Sequence, residues 1–107
     1  MASDKAPYIF LAQMDIAPGH EDDFNRIYDE EHIPSLLKVP GVRACHRYEV
    51  VNASREGTPR YLAVYELDSP EVKESAAWKA ALEVGDWVRD VRPHTQNRQH
   101  SMFRKRD

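Results

Sequence analysis

A histidine and a tyrosine stand four residues apart in Tyr28-Asp-Glu-Glu-His32-Ile-Pro34, with three carboxylates between them. At helical spacing Tyr28 and His32 share one face. Imidazole titrates near neutral pH without help, and a phenol beside it can donate a hydrogen bond. Together they can act as acid/base and donor toward an enolisable or phenolic substrate. Pro34 sharpens the case, because the residue before a proline is pushed out of helical space. The helix is therefore expected to falter directly after His32 and to aim its ring. The competing account is structural: a histidine at a helix C-terminus can bond the last carbonyls, where the dipole favours a cation.

Further side chains are candidates for holding a substrate. Arg47 could grip a carboxylate or enolate bidentately. An ion pair with Glu66 or Glu31 is the plainer account, since an unpaired buried guanidinium is costly. Tyr65 and Trp78, with Tyr61 and Trp87, have the size and character to line an aromatic pocket, although core packing uses the same residue types.

Other chemistries find little support. Adjacent helical carboxylates in His20-Glu-Asp-Asp23 and Asp29-Glu-Glu-His32 fan out around the axis, and no His-x-x-x-His spacing occurs, so no metal site is expected. Nothing beyond a histidine speaks for haem. No nucleophile elbow and no phosphate-cradling glycine loop is present among only four glycines. Cys45, the single cysteine, lies in a strand-like run and reads as a small buried hydrophobe. No cofactor is expected.

The elements that must position these groups follow from the pattern. Tyr8 to Ile16 reads as a strand that begins apolar on both faces. Ala17-Pro18-Gly19 is a turn, and His20-Glu-Asp-Asp23 opens a helix whose acids suit its positive end. Phe24, Ile27, Tyr28 and Glu31 form its inward stripe. A short helical segment, Ser35 to Lys38, ends at Pro40-Gly41. Val42 to Val51 is a second strand, with Val42, Ala44, His46 and Tyr48 on one face and Arg43, Cys45, Arg47 and Glu49 on the other. A polar loop leads to Arg60–Leu67, the clearest strand. Ser69-Pro70-Glu71 signals a helix start, Trp78, Ala81 and Leu82 trace its stripe, and Gly85 ends it. Asp86 to Val91 adds a turn or two before Pro93, and Gln99 to Arg104 is the last strand.

At 107 residues, with 41% hydrophobic and 31% charged residues, the chain reads as one domain spanning residues 1–107. A net charge of −3 gives no reason to expect nucleic acid or an anionic membrane. No apolar run approaches a membrane span. The opening residues Met1 to Lys5 lack the layout of a signal peptide, so a cytoplasmic location is expected.

The order β-α-β-β-α-β implies an α+β, ferredoxin-like fold: a four-stranded antiparallel sheet with its helices on one face. Leu62 and Val64 lie opposite Tyr61, Ala63, Tyr65 and Leu67, so both sheet faces want cover. The simplest cover is a second copy of the sheet, giving a homodimer with a barrel between subunits.

On His32-Ile-Pro34, Pro40-Gly41, Arg47-Tyr48 and the strand Tyr61-Leu-Ala-Val-Tyr-Glu-Leu67, the chain resembles the EthD-like branch of the dimeric α+β barrel superfamily. The resemblance implies the ferredoxin-like fold, a dimeric α+β barrel, and a histidine facing a pocket between helix and sheet. It does not fix a reaction, because that superfamily holds cofactor-free monooxygenases, cyclases, isomerases and haem enzymes. The expectation is a homodimer that binds a compact, enolisable or aromatic small molecule and transforms it through His32 and Tyr28, with Arg47, Tyr65 and Trp78 touching the substrate. The alternative is a module that only dimerises or carries a ligand.

Overall fold

Period-two burial dominates the two central strands. The computed structural model describes residues 5–106, so the reading of residues 1–4 lies outside the described residues. Strand β1, Tyr8–Ile16, buries Phe10, Ala12, Met14 and Ile16 on one face. Strand β3, Tyr61–Leu67, buries Tyr61, Ala63, Tyr65 and Leu67 on the same side. They pair antiparallel at the centre of a four-stranded sheet. Strand β2, Val42–Glu49, pairs antiparallel with β3, and strand β4, Thr95–Arg104, with β1, giving the order β2-β3-β1-β4. That is the ferredoxin-like α+β arrangement, with the helical segments on one face.

The first crossover departs from expectation in an informative way. Helix α1, Glu21–Ile27, widens into a π turn over Tyr28–His32 and continues as α2, Ile33–Leu37. His32 (φ −67°, ψ −52°) and Ile33 (φ −62°, ψ −49°) both keep helical angles, so the break expected after His32 does not occur. A proline ring in a regular helix collides with the carbonyl four residues back. Here the preceding turn is wider, with the Ile33 N–H donating to the Tyr28 carbonyl five residues back. Widening moves that turn's carbonyls off the line of the ring, and the chain passes Pro34 without leaving helical space.

The second crossover starts later than its first signal. Ser69 makes no capping bond, and Pro70–Glu74 form only a 3₁₀ turn. The helix proper, α3, spans Ala76–Ala81 and is capped by Ser75, whose Oγ accepts from the Trp78 N–H at 3.1 Å and donates to the Val72 carbonyl at 2.7 Å. Gly85 then takes φ +72°, in the left-handed region open to glycine. A Cβ there would run into the Glu31 carboxylate, which accepts the Asp86 N–H at 2.8 Å and ties the two crossovers together. A second wide turn, Trp87–Val91, and a short 3₁₀ turn, Arg92–His94, lead into β4.

Two strand readings are corrected. A bulge between Val42 and Ala44 places Val42 opposite Leu67 and Cys45 opposite Tyr65, so Val42 joins Cys45 and Arg47 on the helix side instead of sharing a face with Ala44 and His46. β4 begins at Thr95, four residues before the expected Gln99. Thr-Gln-Asn-Arg carries no apolar alternation, yet β1 supplies a template for it across a register shift between Gln13 and Asp15. There Asn97 sits at φ 51°, and its side-chain amide donates to Asp15 at 3.0 Å and to the Gly57 carbonyl at 2.8 Å.

The second sheet face is largely uncovered. Ile9, Leu11, Leu62 and Val64 are half-buried on it, while Tyr48 is 55% and Phe103 50% exposed. His46 and Glu66 meet there at 3.2 Å. Among the described residues no helix is long and apolar enough to cross a membrane.

Candidate functional site

The wide turn brings Tyr28 and His32 inward together, leaving them 2% and 4% exposed. Their rings meet edge to face at 4.9 Å, and the imidazole lies flat on the Trp87 indole at 3.8 Å. Each crossover thus contributes one wide turn, and the two turns meet ring on ring.

These rings form part of the wall of a cavity of about 250 Å³ between the helical layer and the sheet. Phe10, Tyr65, Trp78 and Leu36 enclose its inner part, and Trp78 packs edge-on against Phe10 at 5.9 Å and Tyr65 at 5.4 Å. Of the residues picked out from the sequence, Tyr28, His32, Tyr65, Trp78 and Trp87 line this one space, whereas Arg47 and Tyr61 do not.

The helix does not end at His32 but runs on into α2, so the ring has no terminal carbonyls there to cap. Its Nδ1 is buried and has no hydrogen-bond partner among the described residues. Buried polar atoms are ordinarily satisfied, because leaving one unpaired costs roughly 1–3 kcal/mol. Burial, with the Arg92 guanidinium adding to it, pushes the imidazole pKa down to about 3. At neutral pH the ring is uncharged, and Nδ1 can accept a proton or a hydrogen bond if its other nitrogen carries the hydrogen.

Tyr28 and Tyr65 share a hydrogen bond between their hydroxyls at 2.7 Å. Cys45 lies directly across from Tyr65, on the neighbouring strand β2. Burial raises all three groups: both phenols stay protonated, and the Cys45 thiol, pushed up to about 12, is no nucleophile at neutral pH. If Tyr65 donates to Tyr28, the Tyr28 hydroxyl proton is left for a ligand.

Arg47 is placed elsewhere. It projects from β2 to the helix side, but it does not line the cavity. Its partners are Asp29 at 2.9 Å and Asn25 at 2.7 Å, not the expected Glu66 or Glu31. The guanidinium caps the rings of Tyr28 and Phe24 at 4.7 and 4.9 Å. Glu66 is spent on His46, on the opposite face, and Glu31 on the Asp86 N–H. Arg47 thus secures the outer flank of Tyr28.

Sequence reasoning passed over Lys73, Lys79, Arg92, Arg98 and His100, which also border the cavity. Arg98 and His100 stand two residues apart on β4, but Lys73, Lys79 and Arg92 come from three other segments, and no sequence spacing links them to β4. Among the described residues no group of three or more His, Cys, Asp or Glu side chains could hold a metal ion.

Residues 7–106 match the model of a family described as a domain of unknown function (DUF4286), and the chain belongs to that family. No curated protein sequence matches it. Its fold is similar to that of an EthD family protein from Bacillus halodurans, at 16% identity and TM-score 0.64 over 92% of this chain and 99% of that one. It is also similar to MhuD, a heme-degrader from Mycobacterium tuberculosis with two hemes bound in its active site, at 15% identity and TM-score 0.67 over 92% and 95% of the two chains. A third likeness is to SnoaB, a cofactor-independent oxygenase from Streptomyces nogalater, at 14% identity and TM-score 0.59 over 95% and 96%. At such identities the likeness concerns the fold, and it bears out the resemblance to the EthD-like, ferredoxin-like group at that level.

Proposed function

We propose that this DUF4286 protein is a homodimer whose helix–sheet cavity binds a compact, enolisable or aromatic molecule and transforms it by acid/base chemistry without a cofactor. His32 is the proton acceptor and Tyr28 the hydrogen-bond donor, with Tyr65 and Trp78 holding the ligand's apolar body. The observation that carries the reading is the unpaired, buried Nδ1 of His32 in the wall of an otherwise aromatic cavity. A ligand atom supplies the partner that the protein withholds.

The chemistry begins with one proton. A C–H beside a carbonyl, or a phenolic O–H, gives its proton to Nδ1, leaving an imidazolium and an enolate or phenolate. The Tyr28 hydroxyl then donates to the new oxyanion. Imidazolium is unfavourable in the unliganded cavity, but an anion formed beside it offsets that cost. Isomerase, cyclase and monooxygenase outcomes can all start from this intermediate. A volume of about 250 Å³ lies below the roughly 300–1,000 Å³ of drug-sized pockets, which favours a compact ligand over a macrocycle such as the hemes of MhuD.

The low basicity of His32 also favours a second reading, a ligand carrier in which Nδ1 only accepts a hydrogen bond. Deuterium exchange separates the two. Compact aryl ketones are incubated in D₂O with wild type and with His32→Ala, and α-deuteration is followed by NMR. Exchange that disappears in the variant supports catalysis. Binding with equal exchange in both proteins leaves the carrier, and no binding removes the cavity reading.

A further inference from the structure

The outer part of the cavity differs from its aromatic interior. Lys73 comes from the 3₁₀ turn, Lys79 from α3, Arg92 from the turn before β4, and Arg98 from β4 itself. Lys79 and Arg98 are exposed, and Lys73 and Arg92 half-exposed, whereas Phe10, Tyr65, Trp78 and Trp87 are buried. The carboxylate bordering the same space is Glu74. Among the described residues Lys73, Lys79 and Arg98 meet no carboxylate within salt-bridge distance, while Arg26, Arg43, Arg47, Arg60 and Arg89 all do. Arg92 reaches Glu83 only at 3.5 Å, and the Lys73 ammonium lies 5.1 Å over the Phe10 ring.

A chain of net charge −3 has thus gathered four cations around one opening, three of them with no carboxylate within salt-bridge distance among the described residues. Such a cluster opposes the average charge of the molecule and attracts an anion. Its field is felt locally: Arg92 helps depress the His32 pKa, and Arg98 and Lys73 help depress that of His100.

We propose that the ligand of this cavity is a compact organic carboxylate, its apolar body lying among Trp78, Trp87 and Tyr65 and its anionic head held by the lysines and arginines of the rim. This rests on the ligand-binding reading above and names the ligand's chemical class. The bound carboxylate also offsets the Arg92 field and makes the His32 imidazole a better proton acceptor.

Calorimetric titrations with 3-phenylpropionate and its neutral isostere 3-phenylpropionamide test the proposal. The acid is expected to bind about tenfold more tightly than the amide at low salt. That advantage should shrink between about 20 mM and about 300 mM salt, as screening weakens the rim. The double variant Lys79→Gln/Arg98→Gln alters exposed side chains and should abolish the preference. Lys38→Gln/Arg55→Gln, which removes the same charge away from the cavity, should retain it. Equal affinity for acid and amide overturns the carboxylate assignment and leaves the cavity reading standing. Preference that survives in Lys79→Gln/Arg98→Gln, with circular dichroism unchanged, overturns it too. If neither probe binds, the cavity reading falls with it.

Discussion

The imidazole of His32 lies on the indole of Trp87 with ring centroids 3.8 Å apart and planes 13° from parallel. The two residues are 55 positions apart, and each belongs to a π turn, one in each crossover. The stack fixes the plane of a ring whose Nδ1 has no hydrogen-bond partner among the described residues. It also seals that ring from water, which is why the imidazole stays neutral.

That neutrality has a consequence for acid stability. The His32 pKa is about 3 in the folded protein, against an ordinary value near 6.5 when unfolded. Between those limits the unfolded chain takes up a proton that the folded chain refuses. The contribution is complete above pH 6.5 and is lost as pH falls toward 3, amounting to a few kcal/mol in order of magnitude. Urea midpoints at pH 7 and pH 4.5 should fall further for wild type than for His32→Gln. Equal falls would refute the shift.

The hydroxyl pair Tyr28–Tyr65 should behave as a unit. Tyr28→Phe or Tyr65→Phe leaves the other buried hydroxyl short of a partner and should cost about 1–3 kcal/mol. Once both are removed no orphan of that pair remains, so the double variant should cost less than the sum of the singles by about 1 kcal/mol. Denaturant unfolding of the three variants measures the coupling. Strict additivity would mean that the hydroxyls do not depend on each other.

Gly85→Ala should destabilise by about 1–3 kcal/mol, through the left-handed backbone and the encounter of the new methyl with the Glu31 carboxylate. Glu31→Ala alone should cost about 1 kcal/mol through loss of the Asp86 N–H bond. In combination the two should fall short of additive, since Glu31→Ala clears the space the methyl needs. Thermal melts of the three variants provide the comparison, and an unchanged Gly85→Ala melt would contradict the predicted encounter.

The proposed dimer is tested on the open sheet face. Val64→Lys puts a charge among Ile9, Leu11 and Leu62 on the side away from the cavity. Sedimentation equilibrium should move from twice the chain mass of 12.4 kDa for wild type to a single copy for the variant, with the far-ultraviolet spectrum preserved. A wild type that sediments as one chain would remove the dimer.

The amino-acid sequence by itself determined the strands, their order and the ferredoxin-like class, because alternation and turn residues are local properties written along the chain. Tyr61, Ala63, Tyr65 and Leu67 declare the face of β3 within seven residues. It also brought out Tyr28, His32, Tyr65 and Trp78, whose types suit a cavity wall. Local signals were weaker where two rules competed. Ser69-Pro70-Glu71 signals a helix start, yet the helix proper is capped by Ser75, where Trp78 and Ala81 pack into the core. Pro34 predicts a broken helix, yet a wider turn upstream keeps the helix intact and both rings inside. Tertiary structure alone assigned Arg47 to Asp29 and Asn25, exposed the unpaired Nδ1, and gathered Lys73, Lys79, Arg92 and Arg98 around one opening. Those relationships join side chains from separate segments, so they exist only once the helical layer has closed on the sheet.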